Sequence, residues 1–78
     1  MGIHLTAKHY ELVVRTYEKI LDAAGSGAAQ IKIRTTVLFS EGACAAFKQQ
    51  LFITFSSFIM MEVSQMGTIT MAWSREGS

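Results

Sequence analysis

Between Gln49 and Gly67 the chain reads QQLFITFSSFIMMEVSQMG, its most apolar part, and what this stretch becomes constrains every other element. A membrane helix needs about 20 predominantly apolar residues, and Leu51 to Met61 covers about half of that. It also contains Thr54, Ser56 and Ser57 and is closed by Glu62, which argues against a span. A strand suits its Phe, Ile, Thr and Val, but the alternation is lost after Ser56 and no Gly or Pro separates the stretch from the residues before it. A helix accommodates more of it. From an N-cap at Ser40, with Glu41 in the first turn, Phe47, Leu51, Phe55 and Phe58 recur at three or four, with Ile59 beside them. Gln49, Ser56, Ser57 and Ser64 gather opposite, and Gly67 stands where a C′ glycine belongs. The spacing therefore predicts a helix from Ser40 to Gly67; the alternative is a helix to about Gln50 followed by a strand to Val63.

The flanking segments are simpler. From Thr6 to Ala24, the residues Ala7, Tyr10, Val14, Tyr17, Leu21 and Ala24 alternate spacings of three and four, which predicts a helix with that stripe inward. Val13 and Ile20 widen it, Thr6 serves as N-cap and Gly25 as the stop. Lys8/Glu11, Glu11/Arg15, Arg15/Glu18 and Lys19/Asp22 place opposite charges three or four apart outside. In QIKIRTTVLF, Ile31, Ile33, Thr35, Val37 and Phe39 share one face while Lys32, Arg34 and Thr36 share the other, a period of two that predicts a strand over Ile31–Phe39. TITMAWSR repeats the pattern over Thr68–Arg75, with Ile69, Met71 and Trp73 inward.

The fold class expected is α+β: one small domain over residues 1–78, with a single-layer sheet of two or three strands packed by two helices, in the order α-β-α-β. The alternative order is α-β-α-β-β. The expected core takes Tyr10, Val14, Tyr17 and Leu21 from the first helix, and Phe47, Leu51, Phe55 and Phe58 from the second. A helical crossover between neighbouring strands allows a parallel, right-handed connection, and the sequence leaves parallel and antiparallel pairing open.

A chain of 78 residues buries only about 60–65% of the surface its unfolded form exposes. Half of this one is hydrophobic, with 5 Met, 5 Phe and no Pro, more apolar material than so small a globule easily hides. The predicted long helix carries Phe52, Ile53, Ile59, Met60 and Val63 beyond the face one small sheet can cover, so these residues are expected to form a protein interface. Two strands alone are barely stable and leave long edges open. A homodimer burying the surplus would answer both needs.

Seven Lys and Arg against six Asp and Glu leave a net charge of +1, which provides no general field for nucleic acid or anionic lipid. Lys32 and Arg34, joined by Arg75, could nevertheless touch phosphates from a strand face, and nucleic-acid binding is the alternative function. Cys44 is the one cysteine, so no intramolecular disulfide forms and a cytoplasmic setting is expected. The opening MGIHLTAKHYE lacks the basic start and apolar run of a signal peptide, and Gly2 with Thr6 is too short a pattern to indicate myristoylation.

Chemistry is sparse. The GSG of Gly25–Gly27 leaves a helix and precedes a strand, the reverse of a phosphate-binding loop. Cys44, at a helix start, lacks an evident base and sits among Ala43, Ala45 and Ala46, as a small core residue does. His4 and His9 are five apart, off the spacing that places two ligands on one helix face, and no acidic or Cys cluster joins them. No catalytic residue, cofactor or metal is expected. The reading that remains is a small non-enzymatic interaction module, an inhibitor or adaptor of a larger protein, of the kind phage and other mobile elements carry.

Overall fold

Thr6 opens the first helix, α1 (Ala7–Gly25), by accepting the backbone N–H of His9 on its hydroxyl at 3.2 Å. The computed structural model describes residues 6–55 and 57–74. α1 ends in a Schellman motif: the N–H of Ala28 donates to the carbonyl of Ala23 at 2.9 Å, and that of Gly27 to Ala24 at 3.0 Å. The left-handed residue of this stop is Gly27, at φ 87°, and not Gly25, which is still helical.

α1 is rotated from the expected phase, so that Val13 and Ile20, expected at the margin of the apolar stripe, lie at its centre. Leu12, Val13, Thr16 and Ile20 are buried, while Tyr10, Val14 and Leu21 are among the exposed large hydrophobics and only Tyr17 of the expected four packs on the core. Thr16 explains the shift. Read as polar, it interrupts the true inward stripe, yet in the fold it is wholly buried and its hydroxyl has no hydrogen-bond partner. Thr16→Val removes an unsatisfied polar atom at nearly constant shape and is expected to stabilise the protein by about 1–2 kcal/mol. A higher urea midpoint would bear this out; a lower one would mean that the hydroxyl is bonded in solution.

The chain continues as β1 (Gln30–Arg34), α2 (Glu41–Thr54), β2 (Phe58–Val63) and β3 (Thr68–Trp73). The fold is α+β in the alternative order, α-β-α-β-β. α2 starts as expected, with the Ser40 hydroxyl accepting the N–H of Ala43 at 3.2 Å, but it stops at Thr54, because Phe55 is extended at φ −123°, ψ 114°. The helix predicted to reach Gly67 is thus a helix and then a strand. A two-stranded ribbon is marginal in water, whereas β2 converts β3 into a central strand paired on both sides.

The sheet order is β1-β3-β2, and both pairings are antiparallel, with Ile33 opposite Ile69 and Met61 opposite Met71. The sequence leaves the direction of pairing open: β1 and β3 are antiparallel neighbours, while the parallel strands joined by α2 are β1 and β2, with β3 between them. β1 is also shorter than predicted. From residue 35 to 39 the chain leaves the ladder to cross the β2–β3 turn, where the N–H of Thr35 donates to the carbonyl of Gly67 and that of Phe39 to Gln65, each at 2.9 Å. Inward alternation persists through this crossing, with Val37 half-buried and Phe39 buried.

Both helices cover one face of the sheet. Phe47, Leu51, Ile69 and Met71 are wholly buried between them, and Phe39 meets Phe47 edge-on at 5.3 Å. Tyr17 joins α1 to α2: its hydroxyl donates to the carbonyl of Gln50 at 3.2 Å and lies 2.6 Å from the Thr54 hydroxyl, while its ring meets Phe55 edge-on. Trp73 and Met71 face this core as the alternation predicts. No helix among the described residues is long and apolar enough to cross a membrane.

Candidate functional site

The sheet order leaves β1 and β2 as edges, and the apolar surplus collects at β2. The ring of Phe52, near the end of α2, meets that of Phe58 edge-on at 5.6 Å, and Phe58 meets Phe55 at 5.9 Å, so the last turn of the helix is held against the strand. A bulge between Phe58 and Met60 leaves Ile59 without an opposing residue. An extra residue locally breaks the in-out alternation, and Ile59 and Met60 are consecutively exposed, at 72% and 38%. Phe52, Ile59 and Met60 are thus exposed along the open β2 edge, with Phe52 on the helix side beside Phe58, and Met60, opposite Ala72, on the outer side.

Two of the five expected interface residues stand apart from that group. Ile53 is exposed near the end of α2, about 100° round the helix from Phe52. Val63 opposes Ile69 and packs half-buried against the core. The apolar edge is thus narrower than the sequence suggested, while Tyr10, Val14 and Leu21 add exposed apolar surface on α1 that the sequence assigned to the core.

The basic residues occupy the opposite edge. Lys32 opposes Thr70, whose other neighbour is Glu62, and Arg34 opposes Thr68, so both alternate with the inward Ile31 and Ile33. Arg75 lies outside the described residues, and Trp73 faces the core, leaving no aromatic of β3 on the outer face. Lys32 and Arg34 also border a cleft between β1 and α1, into which α1 brings Lys8, Arg15 and Lys19. Reading each element separately missed this grouping. The available signal was the spacing of Lys8, Arg15 and Lys19, seven and then four, which puts them on one side of a helix. The charge pairs expected along α1 do not close into ion pairs in the described structure.

Cys44 is half-buried against the core, in keeping with its expected structural role. His9, on the first turn of α1, stacks on Phe39 with ring centroids 4.7 Å apart, and its Nε2 lies 3.2 Å from the carbonyl of Leu38, to which the Nε2–H tautomer donates. The aromatic floor formed by Phe39 recruits it. His4 lies outside the described residues, and among those described no group of His, Cys, Asp and Glu is placed to hold a metal. Comparison with protein-family models, with curated proteins and with solved structures returns no match.

Proposed function

We propose that this chain is a small non-enzymatic protein-interaction module, an inhibitor or adaptor of a larger protein, that acts as a homodimer through the β2 edge. The observation that supports this reading is the exposure of Phe52, Ile59 and Met60 beside an unpaired strand. Edge strands are ordinarily guarded by Lys, Pro, inward charge or a bulge; FIMMEV has a bulge at Ile59, but only one charged residue, Glu62, and no Pro. The bulge turns the first half of β2 away from regular pairing, so backbone pairing between copies is confined to Met60–Val63 about a twofold axis near Met61. Burial of Phe52 and Ile59 supplies the remainder of the contact. A lone cysteine supports a reducing, cytoplasmic setting.

Size exclusion with light scattering should give about twice the 8.6 kDa chain mass at micromolar concentration. Ile59→Lys and Met60→Lys, each at an exposed position, should return the mass to that of one chain while leaving the far-UV circular dichroism unchanged. A wild-type monomer at every workable concentration would overturn the homodimer and leave the β2 edge as a surface for a different protein.

A further inference from the structure

The second edge of the sheet has a character of its own. Beside β1 a cleft of about 940 Å³ opens between α1 and the chain from Ile33 to Leu38, and a hollow of about 360 Å³ continues it along Ile31–Arg34. Lys8, Arg15, Lys19, Lys32 and Arg34 border these two spaces, five of the seven basic residues in a chain whose net charge is only +1. Among the described residues, Glu11 and Asp22 are the only acids that border them, and neither forms an ion pair with these cations. Five cations against these two acids leave a positive excess of three at this edge, with Glu18 beside Arg15 and Lys19 just outside it.

We infer that this edge docks an extended acidic peptide segment of a partner protein, which adds a strand to β1. The side chains of an added strand alternate between the two faces of a sheet. Those directed to the helix side meet Arg15 and Lys19 of α1, with Leu12 and Ile33 beneath; those directed to the outer side meet Lys32 and Arg34. Carboxylates on either face of the incoming strand thus find a cation. The main chain of β1 supplies the hydrogen bonds, since β3 pairs with only one side of it and β1 carries no bulge and no Pro.

A nucleic-acid strand is the other polyanion of suitable shape, and the cleft suits it less. Single-stranded binding relies on free aromatic faces for stacking. The only ring among the lining residues is that of His9, which is already stacked on Phe39 and bonded to Leu38.

The test uses the full chain and a fluorescein-labelled peptide of about ten residues in which pairs of Glu alternate with pairs of Val, so that both faces of the added strand carry carboxylates, at a length that matches a single strand. Fluorescence anisotropy at low salt should show saturable binding of this peptide and none of its Lys-Val counterpart. Arg15→Glu and, separately, Lys32→Glu, both at exposed positions, should weaken binding by about tenfold or more. A version of the peptide N-methylated at alternate residues on its pairing edge should bind as poorly. Failure of the acidic peptide to bind, equal binding of the Lys-Val peptide, or indifference to both charge reversals would overturn the docking site. Full binding by the N-methylated peptide would overturn strand addition. An oligothymidylate probe that binds more tightly than the peptide, and is lost in the same variants, would assign the edge to nucleic acid instead.

Discussion

Gly67→Ala is expected to leave most of the protein unfolded in water at room temperature. Gly67 closes the β2–β3 turn with φ 98°, a conformation that costs an L-residue about 1–2 kcal/mol. A methyl group there would also lie 2.6 Å from the carbonyl oxygens of both Thr35 and Val37. Those oxygens are poorly free to retreat. The N–H of Thr35 donates to Gly67's own carbonyl at 2.9 Å, and the N–H of Val37 to the Thr35 hydroxyl at 2.9 Å, so the crossing segment is tied to the turn it would have to leave. Strain and lost bonds together reach about 4 kcal/mol or more, the size of the whole stability of a domain this small. Gly42→Ala is the control, because a Cβ there meets nothing within 4 Å on the first turn of α2. Far-UV circular dichroism in a urea titration reads both, and a Gly67→Ala midpoint equal to wild type would mean that the crossing does not rest on this turn.

Trp73→Ala is the second large effect, expected at about 3–5 kcal/mol. The ring is 8% exposed, at the end of the central strand, opposite Phe58. Its removal opens a cavity where β2 and β3 meet the aromatic group of Phe55 and Phe58. The backbone N–H of Trp73 still donates to Ala29 at 2.9 Å, so the substitution reports on side-chain packing and leaves the local chain path in place. Since this is the only tryptophan, circular dichroism is the measurement for the variant. An unchanged urea midpoint would place the ring in solvent and contradict the phase of β3.

Where one face of an element is plainly polar, local sequence was enough. The alternation of Ile69, Met71 and Trp73 against Thr68, Thr70 and Ala72 places β3 in phase, and the same period places Ile31 and Ile33 inward on β1. Ser40 and Thr6 cap their helices because a short side-chain oxygen satisfies a free amide wherever a helix begins, whatever packs on it later. Of the candidate site, the sequence identified Phe52, Ile59 and Met60 as surplus, since surplus follows from composition and length. It could not identify the cleft, whose cations come from α1 and β1 and meet only through packing.

What local sequence determined, then, was the existence of α1, β1, the start of α2 and β3, each signalled by a cap or a period contained within a few residues. Tertiary structure decided which face of α1 points inward, because burying Leu12, Val13 and Ile20 outweighs burying the unsatisfied Thr16 hydroxyl that accompanies them. It also decided that Phe58–Val63 is a strand. Those six residues can serve either structure locally, and the choice falls to pairing with β3, the next strand of the hairpin, whose second edge needs a partner.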